Sequence, residues 1–121
     1  MAGGIENLEI YEISLKLSYD SRKIYKTFNF EQRKIIGDQF IRAIDSIGAN
    51  ISEGYGRYHY LDSSKFYYNA RGSLFESKHW INLLHKREFI KDDMFSDFFT
   101  RINVLGKKLN NFINSTKSQI S

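Results

Sequence analysis

The sequence predicts an all-α protein, an antiparallel up-and-down four-helix bundle in a single domain over residues 1–121. Four segments carry apolar residues at spacings of three and four, which is the period of an amphipathic helix. Proline is absent, and no segment alternates between polar and apolar residues as a strand does. Because the links between the four segments are short, we expect consecutive helices to pack antiparallel.

The first helix is predicted over residues 6–28. One apolar stripe consists of Ile10, Ile13, Leu17, Ile24 and Phe28. A second stripe beside it consists of Leu8, Tyr11, Leu15 and Tyr25. Together the two stripes form an apolar surface wider than one helix–helix contact needs. This helix can therefore pack both against the internal core and against a partner subunit.

The second helix is predicted over residues 31–54. Asn29 is a suitable N-cap, and Gln32 stands three residues on as its capping-box partner. The expected core residues recur at helical spacing: Ile36, Phe40, Ala43, Ile47 and Ile51. Gly54 and Gly56 then indicate where the helix ends.

The third and fourth helices are predicted over residues 62–85 and 92–115, beginning at Asp62 or Ser63 and at Asp92 or Asp93. The expected core face of the third is Phe66, Ala70, either Ser73 or Leu74, Ser77, Ile81 and Leu84. The seam of the fourth is Phe95, Phe98, Ile102, Leu105, Leu109 and Phe112. Its opposite, polar face is Asn103, Lys107, Asn110, Asn114 and Lys117.

Composition excludes several classes of protein. The chain has no cysteine, so neither a disulfide framework nor a thiolate metal site can form. No apolar run approaches the roughly 18 residues of a membrane span, and the first residues lack the pattern of a signal peptide. We therefore expect a cytoplasmic protein with no membrane partner. Aromatic residues make up 16% of the chain, which suggests more ring area than one small core covers and hence a subunit interface.

The net charge of +4 is unevenly distributed. Acidic and basic residues balance over residues 1–100, whereas residues 101–121 contain no acid. The cations of this last segment are Arg101, Lys107, Lys108 and Lys117. They form either a solvated helix face with a basic tail or an electrostatic footprint for phosphate backbones.

Further candidate nucleic-acid contacts lie outside that last segment. Arg22, Lys23 and Lys26 cluster late in the first helix. Arg57 lies in a link where Tyr, Arg and His alternate, and these side chains could either stack on unpaired bases or cover the end of the core. In an up-and-down bundle Lys26 lies nearer the start of the fourth helix than Lys107 does, so these cations need not form one stripe.

Catalytic patterns are sparse. Glu76 and His79 form a single E-x-x-H, whereas the di-iron sites of helical bundles need two such units and two further glutamates. The chain has neither a nucleophile elbow nor a Gly-rich phosphate loop after a strand. We therefore expect a protein that is not an enzyme and has no metal and no cofactor.

Two segments carry glycine, small and charged residues where a plain amphipathic helix has leucine, alanine or lysine. They are N-I-S-E-G-Y-G-R, which ends the stretch 39–57, and A-R-G-S-L-F-E at 70–76. Together they resemble the signature of the four-helix-bundle proteins first noted inside intervening sequences of bacterial 23S rRNA genes. L-E-I-Y at 8–11 is similar to that family's opening helix. The chain departs from the family pattern where a proline is common, at Asn29 or Glu31 and at Gly48.

The resemblance implies a cytoplasmic bacterial protein that forms a cyclic homopentamer. It also implies a relation to accessory proteins of diversity-generating retroelements, which bind nucleic acid and a reverse transcriptase. Most members of the family have no established biochemical activity. The motif residues are expected to act in structure or at an interface: Asn50, Glu53, Gly54, Arg71, Gly72, Ser73 and Glu76.

Simple geometry suggests roles for several of these motif residues. Gly72 and Ser73 would let the second and third helices approach closely, and Glu53 and Arg71 could pair within or between subunits. Asn50 could satisfy backbone groups near Gly48. These expectations and the charge pattern lead to a hypothesis of a non-enzymatic homo-oligomer that binds RNA or DNA, as an accessory to a larger protein machine. The alternative is a protein-interaction scaffold that binds no nucleic acid.

Overall fold

The computed structural model describes residues 4–57 and 59–117, and within them the chain forms four helices and no strand. We label the helices α1 (Glu9–Lys26), α2 (residues 30–55), α3 (Tyr60–Lys86) and α4 (Asp92–Lys117). A 3₁₀ turn at Ile5–Asn7 precedes α1. In the part of the chain that the structure describes, no helix combines the length and the apolar character needed to cross a membrane.

The four helices pack in the order in which they occur along the chain. α2 packs beside α1 and α3, and α4 packs beside α3 and α1. Two ion pairs show that α1 and α4 run antiparallel, since Asp20 meets Arg101 whereas the earlier Glu9 meets the later Lys108. The predicted antiparallel four-helix bundle is therefore confirmed.

The second helix begins as the sequence predicts and contains an unpredicted turn. Asn29 Oδ1 accepts a hydrogen bond from the Gln32 amide at 2.8 Å, and the Asn29 amide donates to Gln32 Oε1 at 3.0 Å. This reciprocal capping box satisfies two backbone donors at the helix start. The α-helical turn Phe30–Gln32 continues into a π-helical turn, Arg33–Gly37, and then into the α-helix Asp38–Tyr55.

The other helix ends differ from prediction by up to three residues. α1 begins at Glu9 and ends at Lys26, inside the predicted range 6–28. α3 begins at Tyr60, before Asp62, because the His59 carbonyl already accepts a helical hydrogen bond from the Ser63 amide. After α3 the chain reverses at Glu88, whose φ of 62° lies in the left-handed region, and α4 then begins at Asp92 as expected.

The core consists of aliphatic side chains from all four helices with a few rings. Its largest fully buried members are Leu17, Ile24, Ile36, Phe40, Ile44, Ile47, Ile51, Ile81, Leu84, Ile102, Leu105 and Leu109. On α3 the predicted Ala70, Ser77, Ile81 and Leu84 are buried, and Leu74 is the correct choice over Ser73. The predicted Phe66 was wrong, because its neighbour Tyr67 is buried instead. Phe66 is half-buried, and the Arg57 and Lys65 cations lie 4.8 and 5.7 Å from the centroid of its ring.

Two glycines of α2 allow close helix packing, and they are not the predicted one. A Cβ on Gly54 would lie 2.6 Å from Cε1 of the buried Tyr67 ring on α3. A Cβ on Gly48 would lie 2.9 Å from Oγ of Ser14 on α1. Gly72, by contrast, is exposed and a Cβ there would have no neighbour within 4 Å. The prediction that Gly72 brings α2 and α3 together was therefore wrong.

These environments predict opposite effects for the same substitution at two helical glycines. Gly54→Ala should lower the free energy of unfolding by about 1–3 kcal/mol, because the added methyl group overpacks the Tyr67 ring. Gly72→Ala should raise it by about 1 kcal/mol, because alanine is the better helix former and the position is open. Urea unfolding followed by circular dichroism measures both. Shifts of the same sign would contradict the packing at Gly54.

Candidate nucleic-acid interface

The N-terminal part of α3 lies beside the C-terminal part of α4, and together they form a surface without acidic residues. The Tyr67 and Phe112 rings meet edge to face at 5.0 Å, and Arg71 Nη1 donates to Asn110 Oδ1 at 3.3 Å. Neither residues 63–75 nor residues 103–117 include an Asp or a Glu. We call this region the α3–α4 basic surface; its cations are Lys65, Arg71, Lys107 and Lys117.

Tyr68 lies at the centre of this surface. The Arg71 guanidinium is 4.9 Å and the Lys117 ammonium 5.6 Å from the centroid of its ring. The hydrogen bond between Lys117 and Tyr68 is the main cause of a raised pKa for Lys117, so this lysine stays charged well above neutral pH. The Arg71–Asn110 and Lys117–Tyr68 contacts thus hold two cations in place on a half-buried ring.

The other predicted cations near this end of the bundle have different partners. Lys107 is exposed and has no ion pair among the described residues, whereas Lys108 Nζ lies 3.3 Å from Oε1 of Glu9 on α1. Arg57 lies 3.5 Å from Oε1 of Glu53, one turn earlier. Lys107 and Lys117 are therefore the α4 lysines of this surface whose charge no carboxylate offsets.

Arg101 belongs to a structural ion-pair cluster on the α1–α4 seam. Its Nη2 lies 2.7 Å from Asp20 Oδ2 and its Nη1 lies 3.3 Å from Asp97 Oδ2, and only 27% of its side chain is exposed. Lys16 and Lys23 of α1 lie 3.1 and 3.7 Å from Asp20 Oδ1. Arg101 is thus bound to two carboxylates and lies apart from the α3–α4 basic surface.

Asp20 holds this cluster together and was not singled out from the sequence. Burial by itself raises the pKa of its carboxyl group, but hydrogen bonds from Arg101 and Lys16 and their charges outweigh burial and lower the pKa below the ordinary 3.8. The signal was present in the sequence, because lysines stand four residues before and three residues after Asp20. An Asp within an amphipathic helix is normally exposed, and only the packed structure shows it buried.

The three α1 cations lie at the opposite end of the bundle from Tyr68. Lys23 is near Asp20, Arg22 lies 5.6 Å from the centroid of the Tyr25 ring, and Lys26 is exposed in the last turn of α1. The structure therefore separates these cations from the α4 lysines, as the up-and-down topology led us to expect.

The motif residues act mainly in local structure. Asn50 Nδ2 donates to the Ser46 carbonyl at 2.9 Å, close to Gly48 as expected. Within the described chain, Glu53 and Arg71 do not pair, because Glu53 bonds Arg57 and Arg71 bonds Asn110. The suggested pairing of Glu53 with Arg71 within one subunit was therefore wrong.

The remaining motif residues carry no catalytic grouping. The Ser73 carbonyl accepts a hydrogen bond from Ser77 Oγ at 2.9 Å, and Glu76 is exposed. His79 packs edge to face against Trp80 at 4.7 Å. Across residues 4–57 and 59–117, no three His, Cys, Asp or Glu side chains are placed to hold a metal ion.

Comparison with known proteins bears on the family and the fold. Residues 6–111 match the family model described as 23S rRNA-intervening sequence protein. A crystal structure from Bacteroides thetaiotaomicron, of a protein with unknown function from the S23 ribosomal protein family, superposes with a TM-score of 0.83. It shares 24% identity and aligns over 90% of this chain and 98% of its own. No curated protein matches, and neither match bears on a link with retroelements.

The Asp20 cluster predicts a pH-dependent contribution to stability. Because folding lowers the pKa of Asp20, its contribution is fully present above about pH 4 and is lost as the pH falls through the folded-state pKa. Asp20→Asn should lower the free energy of unfolding at pH 7 by about 1–3 kcal/mol, since it removes the buried carboxylate that Arg101 and Lys16 bind.

Urea unfolding between pH 2.5 and pH 7 measures both effects. The matched control is Asp97→Asn, which removes a carboxylate that is 56% exposed and should cost less than about 1 kcal/mol. The Asp20 variant should also lose less stability on acidification than the wild type. An equal cost for the two variants, or an unchanged pH profile, would refute the structural role of Asp20.

Proposed function

The chain belongs to the 23S rRNA-intervening sequence protein family, and we propose that it is a non-enzymatic nucleic-acid-binding protein. The observation that carries this proposal is the α3–α4 basic surface. Two acid-free stretches of sequence, far apart in the chain, pack side by side there and combine their cations. Phosphate backbones are bound through such sequence-independent charge.

The side chains of this surface favour contact with phosphates and unpaired bases. Arg71, Lys107 and Lys117 present positive charge without a carboxylate partner in the described chain. Tyr68 and the exposed Phe75 offer rings on the same helix, and rings stack on bases of any sequence. Contacts to phosphates and to the faces of bases do not read base edges, so the target is single-stranded or structured RNA or DNA that is bound with little sequence specificity.

A different face of the bundle favours self-association. Leu15 is 55% and Tyr19 71% exposed, and they stand one turn apart on α1. Leu15 also lines a groove between α1 and α2, together with Tyr11 and Ala49. We include in the proposal a homo-oligomer, such as the homopentamer that the family resemblance implies, formed through this α1–α2 apolar face. Oligomerisation would repeat the basic surface and strengthen binding to a polyanion.

The α1–α2 apolar face also supports the second candidate, a protein-interaction scaffold. If the partner on this face is another protein, such as a larger machine, the exposed Leu15 and Tyr19 side chains supply the apolar contacts. This candidate requires no nucleic acid, so binding measurements separate it from the first.

Removing charge from the basic surface should weaken nucleic-acid binding and its dependence on salt. We expect the triple variant Arg71→Gln, Lys107→Gln and Lys117→Gln to bind labelled single-stranded RNA or DNA less tightly. The slope of log K against log salt should fall by about 2, because each lost phosphate contact on a single strand removes about 0.7. Fluorescence anisotropy across a salt series measures the affinity and the slope.

The matched control removes the same charge elsewhere. Lys86, Arg87 and Lys91 are exposed at the α3–α4 turn, and their change to Gln should leave the slope as in the wild type. Equal losses in the two triple variants would mean that net charge alone drives binding. Absence of binding by a well-folded wild-type protein would favour the scaffold instead.

Self-association predicts that a charge on the α1–α2 apolar face dissociates the oligomer. Leu15→Asp should reduce the mass measured by light scattering to that of one chain, because burying the new carboxylate is costly. Leu61→Asp is the control, since Leu61 is 77% exposed at the start of α3 and does not line this groove. A wild-type protein that is already monomeric, or a Leu15 variant that keeps its mass, would rule out this interface.

A further inference from the structure

The turn between α1 and α2 carries a second group of cations that the α3–α4 basic surface does not include. Residues 22–34 contain a single acid, Glu31, and five cations, Arg22, Lys23, Lys26, Arg33 and Lys34. Lys23 lies 3.7 Å from Asp20, but the other four form no ion pair among the described residues. Most of the charge at this turn is therefore available to an external anion.

Tyr25 and the π-helical turn of α2 position the two arginines. Arg33 Nε donates to the Tyr25 carbonyl at 3.3 Å, and the Arg33 guanidinium lies 4.7 Å from the centroid of the Tyr25 ring. Arg22 lies 5.6 Å from the same centroid. The Tyr25 hydroxyl donates to Asp38 Oδ1 at 2.6 Å, and the Asp38 carboxylate forms an ion pair with neither arginine.

Phe30 presents an exposed ring beside these cations. Its side chain is 77% exposed, and Lys34 Nζ lies 5.3 Å from its ring centroid. As the first residue of α2, Phe30 is held by the capping box between Asn29 and Gln32. A ring fixed on a helix start next to a lysine is suited to stack on an unpaired base while the lysine contacts the adjoining phosphate.

This turn is well separated from the α3–α4 basic surface. Gly54, near the end of α2, packs against Tyr67, which is the neighbour of Tyr68 in α3. Arg33 precedes Gly54 by 21 residues of continuous helix, which corresponds to about 30 Å along the axis. A single nucleotide chain of a few residues cannot reach both places.

Acidic residues of the neighbouring α3–α4 turn leave only one side of the α1–α2 turn suitable for an anion. We call the side that faces away from these acids the outer side. Glu88, Asp92 and Asp93 lie in the α3–α4 turn at the same end of the bundle, where the Phe28 and Phe89 rings meet at 6.2 Å. An approaching polyanion is repelled from that side and attracted to the side of Lys26 and Lys34.

We propose that the outer side of the α1–α2 turn is a second contact for single-stranded nucleic acid, with phosphates on Arg22, Lys26, Arg33 and Lys34 and an unpaired base on Phe30. The inference rests on the proposed function and extends it, because one chain then holds two segments of a strand about 30 Å apart. An anionic membrane is the less suitable partner. Phe30 and Ile35 are the large exposed apolar side chains of residues 22–35, which gives little area to anchor in a bilayer.

The experiment compares two pairs of lysine substitutions in the full chain. Lys26→Gln with Lys34→Gln removes two cations at the α1–α2 turn, and Lys86→Gln with Lys91→Gln removes two at the acid-rich α3–α4 turn. With a labelled 40-nucleotide strand, the first pair should lower the slope of log K against log salt by about 1.4, or 0.7 per lost phosphate contact. The second pair should leave the slope unchanged.

Substitutions at Phe30 test stacking separately from charge. Phe30→Leu should weaken binding of the same strand about fivefold or more, and Phe30→Tyr should keep wild-type affinity, because tyrosine retains a ring. Phe30 is largely exposed, so neither change should alter the unfolding midpoint. Equal affinities for the leucine and tyrosine variants would overturn the role of the ring.

The outcomes separate this inference from the function on which it rests. A wild-type chain that binds no strand overturns both. A wild type that binds, with weakening by the α3–α4 substitutions and none by the α1–α2 pair, overturns the second contact and leaves the proposed function standing. A last measurement tests binding to phosphatidylserine vesicles. If the Lys26→Gln, Lys34→Gln variant loses vesicle binding and keeps its affinity for the strand, the turn is a membrane contact and the inference is wrong.

Discussion

The fit between Gly54 of α2 and the Tyr67 ring of α3 determines where much of the remaining structure lies. Because Gly54 has no side chain, the buried ring can lie against the backbone of α2. The same ring packs edge to face with Phe112 of α4. α3 is therefore held between α2 and α4, and this packing places Arg71 within hydrogen-bonding distance of Asn110. The basic surface depends on this contact between three helices.

Which cations remain unpaired on the surface depends on which of them form ion pairs with carboxylates inside the bundle. The buried Asp20 draws Arg101 and two lysines of α1 to the seam between α1 and α4. Arg101 is one of the cations that give the chain its excess charge, yet its charge is offset within the fold. Lys107 and Lys117 have no such carboxylate in the described chain and lie on the outer face of α4. Net charge alone does not distinguish these two kinds of cation.

Predictions about residues a few positions apart in the same helix agree with the structure. Several predictions about which face of a helix points toward its neighbours do not. The Asn29–Gln32 capping box is correct because its two residues are three positions apart. On α3 the sequence could not choose correctly between Phe66 and Tyr67, which are both aromatic and differ by 100° around the axis. The same ambiguity placed Gly72 against α2, although it faces outward.

Residue type and short spacing along the chain are enough to predict the all-α class, the four amphipathic segments, the capped start of α2 and the acid-free stretch of α4. The tertiary structure alone decided that Arg71 meets Asn110 and that Asp20 meets Arg101, pairs 39 and 81 residues apart. Such contacts depend on the rotation of each helix about its axis. That rotation is set by the joint packing of all four apolar faces, which no single segment encodes.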